Sequence, residues 1–124
     1  MNKIIKRLIN VNDNKNIKIK HMEQYPEYCD SRDYFKGVVE HIINYKELIK
    51  NMKSSIEIVN IKELYTDQKI TKISNIKEML QKNFDTTSAY AIYKDNKLIL
   101  LDGNTRLIAS ILKGIEHVPI TVYK

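Results

Sequence analysis

The sequence predicts an α+β fold, because short alternating or apolar segments that are typical of strands are interspersed with segments that have the period of helices. The strand patterns occupy residues 56–61, 89–93, 98–101 and 117–123. The helical stripes occupy residues 34–52, 75–82 and 105–113. Of the 124 residues, 43% are hydrophobic and 29% are charged, which is ordinary for a globular protein and argues for one domain.

The N-terminal third predicts a hairpin followed by a long helix. Residues 4–11 and 17–22 flank a cluster of Asn and Asp residues that is typical of a turn. Asp30 or Ser31 can cap a helix. Apolar residues then recur at helical spacing over residues 34–52 with charged residues between them, which predicts an amphipathic helix of about five turns.

The middle of the chain predicts a strand, a linker and a helix. Residues 53–55 have the composition of a linker, and residues 56–61 alternate as a short strand does. Residues 62–70 are rich in turn residues. Asn75 followed by Glu78 resembles a capping box, so we expect a helix from about Asn75 to Lys82.

The C-terminal third predicts two strands, a helix and a last strand. Residues 89–93 and 98–101 are strands joined by a tight turn over residues 94–97, and the run of four apolar residues at 98–101 indicates a buried strand. A helix from Thr105 to Lys113 should end at Gly114, which is a common C-terminal stop. Residues 117–123 then form the last strand.

Charge and cysteine usage exclude several classes of protein. The formal net charge of +6 permits contact with nucleic acid or polyphosphate without requiring it. Cys29 is the one cysteine, so no disulfide can form within the chain. No apolar run reaches the roughly 20 residues that a membrane helix needs, and the N-terminal residues lack the features of a secretory signal. We therefore expect a cytoplasmic protein without a membrane partner.

Metal ligands are not indicated by the sequence either. His21, His41 and His117 are widely spaced, and no pair of cysteines stands at zinc-binding distance. No metal site made by protein side chains is therefore predicted.

The residues 102–106, Asp-Gly-Asn-Thr-Arg, are the candidate binding site. Gly103 permits a sharp turn between strand and helix, and the first amides of the following helix have no partner within it. With the helix dipole they favour an anion, to which Thr105 can add a hydroxyl, Asn104 an amide and Arg106 a two-pronged donor. The alternative is that Asp102 or Asn104 simply caps the helix.

The order of elements over residues 56–124 resembles the ParB/sulfiredoxin superfamily. The family pattern is an apolar strand, a D-G-x-x-R motif, a helix that ends in Gly, and a V-P-x-x-V strand. Here these are residues 98–101, residues 102–106, the helix up to Gly114, and residues 118–122. The resemblance implies a ParB/sulfiredoxin-like domain over residues 56–124, with residues 1–55 as an extension of hairpin and helix packed on it.

The resemblance implies that the motif binds nucleotide phosphates. Asp102, Gly103, Asn104, Thr105 and Arg106 are the implied nucleotide-binding residues, with ATP, ADP or CTP as ligand and Mg²⁺ bound mainly through the phosphates. In sulfiredoxin the motif contains a reactive cysteine, but Asn104 stands there, so sulfiredoxin activity is not expected. In the free serine kinases of the superfamily a carboxylate after the first strand is the base, and Asp67 stands at the matching place, with Glu63 nearby.

Two classes of function follow from these observations. The first is a nucleotide-binding protein, with phosphoryl transfer or nucleotide hydrolysis as its activity. The second is a non-catalytic regulatory module of a mobile element or phage that binds DNA or protein. In ParB partition proteins a helix-turn-helix domain follows the motif domain, and residues 1–124 show no such pair of helices. A protein partner or a second copy of the chain would bind through the helix at residues 34–52.

Overall fold

The structure, a computed structural model, describes residues 17–124 together with the backbone of Leu8–Ile9. The strands are β1 (Leu8–Ile9), β2 (Tyr28–Asp30), β3 (Gly37–Val38), β4 (Ser54–Asn60), β5 (Tyr65–Thr66), β6 (Ile70–Lys72), β7 (Phe84–Asp85), β8 (Tyr90–Lys94), β9 (Lys97–Asp102) and β10 (His117–Tyr123). The helices are α1 (Tyr45–Ile49), α2 (Ile73–Leu80) and α3 (Asn104–Leu112). The protein is therefore a mixed α+β structure, which confirms the predicted class.

Six strands form the main sheet in the order β3-β5-β9-β8-β10-β4. The strands β3, β5 and β9 run parallel to one another, and β8 is antiparallel to β9. The strand β10 runs parallel to β8 and antiparallel to β4. Two small antiparallel ladders lie outside this sheet, one between β1 and β7 and the other between β2 and β6.

The central strand β9 is buried on both faces, as its unbroken apolar run predicts. One face carries the main core, in which side chains of the sheet meet those of α2 and α3; its members include Ile76, Leu80, Ala91, Leu100, Leu107, Ile108 and Val122. The other face carries a smaller cluster of Ile42, Ile92, Ile99 and Leu101, against which Tyr45, Ile49 and Met52 pack. Successive residues of β9 therefore alternate between two apolar layers.

The C-terminal predictions are confirmed. The strands β8, β9 and β10 and the helix α3 lie within a residue or two of the predicted bounds. Asp95 and Asn96 both have positive φ, as the tight turn between β8 and β9 requires. Gly114 has a φ of 82°, and Ile115 N–H donates to the Ser110 carbonyl at 2.9 Å, so the helix ends in the glycine-dependent motif that was predicted.

The long helix predicted at residues 34–52 is wrong. Gly37–Val38 is instead the strand β3, and only Tyr45–Ile49 is α-helical. Pairing with β5 overrides the helical periodicity, since Lys36 N–H donates to the Leu64 carbonyl and Val39 N–H to the Thr66 carbonyl, each at 2.8 Å. The Asp30 side chain does cap a helix, but that helix is a single 3₁₀ turn at Ser31–Asp33.

The hairpin predicted from residues 4–11 and 17–22 is also wrong for the part that the structure describes. Residues 17–22 form no strand, and Leu8–Ile9 pairs with Phe84–Asp85. The other residues of the predicted first strand lie outside the described residues. Ile17 and Ile19 pack against the main core while Lys18 and Lys20 are exposed. Burial of alternate side chains therefore produced a strand-like pattern without a strand partner.

The middle of the chain departs from the prediction at its boundaries. The strand β4 begins at Ser54, so part of the predicted linker belongs to the sheet. The helix α2 begins at Ile73, and no side chain among the described residues caps it, so the capping box at Asn75 is wrong. The turn-rich residues 62–70 contain β5, the strand beside β9. The division of the chain at residue 55 stays a prediction.

Two buried titratable groups of the N-terminal third lie in the main core. Cys29 on β2 is fully buried, and burial raises the pKa of its thiol to about 11. Burial likewise raises the pKa of Tyr34 to about 12. Both groups must therefore stay protonated in the native state at pH values where the unfolded chain ionises.

The Cys29→Ala variant should lose less stability in alkali than the wild type. The unfolded thiol ionises near its reference pKa of 9.0 while the native thiol keeps its proton to about 11. The free energy of unfolding that this group contributes is therefore complete at about pH 8, and about 2 kcal/mol of it is lost by about pH 10.5. Urea unfolding at a series of pH values measures the difference, and parallel curves for the two proteins would contradict the prediction.

Candidate functional site

The residues 102–106 lie where three parallel strands end. The strands β3, β5 and β9 have their carboxyl ends at the same edge of the main sheet, which we call the carboxyl edge. The chain continues from β9 directly into α3 there. In open sheets with parallel strands this edge is where ligands usually bind. The candidate residues therefore occupy the part of the fold that favours a site.

A cleft of about 310 Å³ lies between α2 and the start of α3, and we call it the α2–α3 cleft. It is lined by Gln68, Asn75, Glu78, Met79, Lys82 and residues 102–106. All five predicted motif residues therefore lie on one cleft. Sequence reasoning missed the five residues from the other wall. Their pattern carried no signal, because four of them lie on α2 or just beyond it and Gln68 follows β5, so only tertiary packing brings them to the motif.

Gly103 is required by backbone conformation and by packing. Its φ of 108° lies in the region that side chains rarely adopt, and a Cβ built there would lie 2.4 Å from the Cβ of Ala89. Ala89 is fully buried, so a shift away from a new Cβ would disturb the packing around it. The glycine thus lets the turn between β9 and α3 lie directly against Ala89, just before β8.

The start of α3 has no side-chain cap among the described residues. Gly103 is itself the N-cap, and Leu107 N–H donates to its carbonyl at 3.0 Å as the first helical bond. The amides of Asn104, Thr105 and Arg106 therefore have no partner within the helix. The alternative interpretation, in which Asp102 or Asn104 caps the helix, is wrong.

The side chain of Asn104 is engaged within the protein. It is 5% exposed, its Nδ2 lies 2.9 Å from Thr66 Oγ1, and its Oδ1 lies 3.1 Å from the same atom. Thr66 Oγ1 also accepts a hydrogen bond from Gln68 N–H at 3.1 Å. This buried pair joins the end of β5 to the first turn of α3. Its hydrogen bonds hold the start of α3 on the carboxyl edge.

Two cations face the α2–α3 cleft from opposite sides. Arg106 is half-buried on α3, and Lys82 is exposed just beyond the end of α2. Within residues 17–124 neither forms an ion pair. The carboxylates of Asp102 and Glu78 also line the cleft, so it presents hard oxygen ligands beside the two cations.

Asp67, the predicted base, does not line this cleft. It follows β5 directly, its side chain is 10% exposed, and its Oδ2 lies 2.8 Å from Nδ1 of His41. Glu63, the carboxylate near Asp67 in the sequence, precedes β5 and pairs with Lys36 at 3.7 Å. It therefore lies at the opposite end of the strand from the candidate site.

A tyrosine pair lies on the face of the sheet that α1 covers. Tyr90 Oη and Tyr45 Oη are 3.3 Å apart, and the ring of Tyr90 meets the ring of Tyr123 edge to face at 6.1 Å. The hydrogen bond with Tyr45, followed by burial, raises the pKa of Tyr90. These contacts make Tyr90 a packing residue between β8 and α1.

No model of a known protein family matches the sequence, and comparisons with curated proteins and with solved structures likewise find no match. Among the described residues, no helix is long and apolar enough to cross a membrane. No group of three or more His, Cys, Asp or Glu side chains in the same residues could hold a metal ion.

Replacing Gly103 by alanine should destabilise the fold strongly. The new Cβ would collide with Ala89 and the backbone would keep an unfavourable φ, which together cost about 2–4 kcal/mol. Gly114→Ala is the matched control, since Gly114 also has positive φ but nothing lies within 4 Å of the added carbon. We expect the control to lower the free energy of unfolding by about 1 kcal/mol. Urea unfolding measures both, and equal losses would show that packing against Ala89 is unimportant.

Thr66 and Asn104 should be coupled in a double-mutant cycle. Thr66→Val and Asn104→Ala should each cost about 1–3 kcal/mol, and the double variant should cost less than their sum because the two side chains satisfy each other. Asn104→Ala with Thr86→Val is the control, since Thr86 bonds to the Pro119 carbonyl. The control pair should be additive within about 0.5 kcal/mol. Additive losses of stability in both cycles would contradict the direct hydrogen bonding between Thr66 and Asn104.

Proposed function

We propose that the protein binds the phosphates of a nucleotide at the start of α3. The observation that carries this proposal is that α3 begins without a side-chain cap in the described residues and opens onto the α2–α3 cleft. Free amides at a helix N-terminus, together with the helix dipole, favour a phosphate group. The resemblance of residues 56–124 to the ParB/sulfiredoxin superfamily supports the same role and the corresponding fold.

Arg106 and Lys82 are the cations of the proposed site. Both line the cleft, and neither forms an ion pair within residues 17–124, so they remain available to a ligand. The guanidinium of Arg106 can donate two parallel hydrogen bonds to one phosphate, whereas Lys82 acts as a point charge. Thr105 is half-buried and adds a hydroxyl at the second helical position.

Mg²⁺ fits this site as a companion of the nucleotide. Magnesium takes one or two carboxylates together with phosphate oxygens, and Asp102 and Glu78 on the cleft wall are carboxylates of this kind. In the proposed site the metal would neutralise phosphate charge that Arg106 and Lys82 leave uncompensated. The proposal includes phosphoryl transfer or hydrolysis as the activity, with ATP, ADP or CTP as candidate nucleotides.

The alternative proposal is a non-catalytic module that binds DNA or a protein. It is favoured by the net charge of +6, which attracts nucleic acid through its phosphates. A partner cannot bind through a helix at residues 34–52, because the structure does not contain that helix. Retention on DNA that decreases with salt, without any effect of nucleotides, would favour this alternative.

A thermal-shift series with ATP, ADP, CTP and GTP, each with Mg²⁺, tests the main proposal. At about 100 times its dissociation constant a bound nucleotide stabilises the native state by about 2.7 kcal/mol. We expect a shift with at least one nucleotide, its loss in Arg106→Ala and a smaller shift in Lys82→Ala.

Lys77→Ala is the matched control for this series. Lys77 is an exposed lysine of α2 that lines a different groove with Pro26 and Glu27, so its variant should keep the full shift. A shift that survives in Arg106→Ala, or no shift with any nucleotide in a folded protein, would overturn the proposal.

A further inference from the structure

His41 and Asp67 form a histidine–carboxylate pair at the carboxyl edge. Nδ1 of His41 lies 2.8 Å from Oδ2 of Asp67. The Asp67 side chain is 10% exposed, whereas the His41 side chain is 65% exposed. The carboxylate is therefore largely shielded from water while most of the imidazole faces solvent. Within residues 17–124, no other histidine ring bonds to a carboxylate.

The pair lies close to the start of α3. Asp67 directly follows Thr66, whose hydroxyl bonds to Asn104, and Val39 N–H donates to the Thr66 carbonyl just before His41 in the chain. The strands β3, β5 and β9 are neighbours about 4.8 Å apart, and their carboxyl ends lead to His41 three residues on, to Asp67 directly and to the α3 start. A nucleoside triphosphate is longer than the spacing between two neighbouring strands. Its terminal phosphate can therefore extend from α3 toward the pair.

His41 also has an open approach on its other side. It lines a second groove, of about 840 Å³, between residues 40–44, α1 and the end of β8. This groove lies on the α1 side of the sheet, away from the α2–α3 cleft. A hydroxyl-bearing molecule, or water, can thus reach the imidazole without passing the nucleotide.

We propose that His41, oriented by Asp67, is the general base for a hydroxyl that attacks the terminal phosphate of a nucleoside triphosphate bound at α3. This inference rests on the proposed function and moves the base from Asp67, where the resemblance put it, to His41. In the proposed arrangement the neutral ring donates from Nδ1–H to the Asp67 carboxylate, and Nε2 is then the nitrogen that accepts a proton. Asp67 is then a positioning residue and not the base.

The step balances without a redox partner. The hydroxyl oxygen forms a bond to the terminal phosphorus, and the bond from that phosphorus to the bridging oxygen breaks. The nucleoside diphosphate leaves with the electron pair of the broken bond, and Nε2 of His41 takes the hydroxyl proton. With water as the attacking group the products are inorganic phosphate and the diphosphate.

The test measures nucleotide binding and phosphate release on the same proteins. The nucleotide that binds in the thermal-shift series is used with Mg²⁺ and water as the acceptor. His41→Gln and Asp67→Asn should keep the thermal shift, since neither residue lines the α2–α3 cleft. Phosphate release should fall by about 100-fold or more in His41→Gln and by at least about tenfold in Asp67→Asn.

His117→Gln is the matched control. His117 is an exposed histidine at the start of β10, where it pairs with Asn60. Its variant should bind and release phosphate as the wild type does. His41→Ala with added imidazole gives a further check, because the exposed position leaves room for the free base. If His41 is the base, added imidazole should restore phosphate release in His41→Ala but not in Arg106→Ala.

A spectroscopic measurement distinguishes the positioning of His41 by Asp67 from a non-specific structural effect of the Asp67→Asn substitution. Nitrogen-15 NMR of the neutral ring should show His41 with its proton on Nδ1 in the wild type and on Nε2 in Asp67→Asn, since an amide can donate to Nδ1 where a carboxylate cannot. His117 should show the same tautomer in both proteins. An unchanged His41 tautomer would overturn the role of Asp67.

The outcomes distinguish the two proposals. If no nucleotide binds, the proposed function fails and the inference fails with it. If a nucleotide binds but no phosphate is released, or His41→Gln releases it at the wild-type rate, the inference alone fails. Binding that persists in His41→Gln together with the loss of phosphate release supports both.

Discussion

The close approach of Gly103 to Ala89 is the contact on which the candidate site depends. The ladder between β8 and β9 shifts register at this point, with Tyr90 opposite Asp102 and Ala91 opposite Leu100. The extra residue on β9 bends the strand as it leaves the sheet. Because no Cβ stands between the turn and Ala89, α3 starts directly on the sheet, where its first residues line the α2–α3 cleft.

The polar side chains at the carboxyl edge are arranged in two pairs with different exposure. Thr66 and Asn104 are both buried, and their mutual hydrogen bonds satisfy groups that would otherwise destabilise the fold. His41 and Asp67 form a pair in which only the histidine is well exposed. The first pair therefore fixes the position of α3, and the second leaves a titratable ring in contact with solvent. Both pairs depend on β5, which ends at Thr66 and is followed directly by Asp67.

The second face of the sheet explains why the N-terminal third departs from a helical fold. Its apolar residues pack on both faces of the main sheet. Tyr34 and Phe35 lie in the main core, whereas Ile42 lies in the smaller cluster on the opposite face. One straight helix cannot supply both faces of a sheet. The chain therefore crosses the edge of the sheet as β3 before the short helix α1 covers the second face.

The elements whose signals are local can be predicted from the order of amino acids alone. The buried strand β9, the turn at Asp95–Asn96, the helix α3 and its stop at Gly114 depend on nearby residues, and so did the grouping of Gly103, Thr105 and Arg106 at one turn. The remaining elements depend on contacts between distant parts of the chain. The strands β3 and β5 have two residues each and owe their existence to neighbours that are distant in the chain. Lys82 joins Arg106, and His41 joins Asp67, through packing that no periodicity encodes, because a pattern reports which side of an element is buried and not which partner buries it.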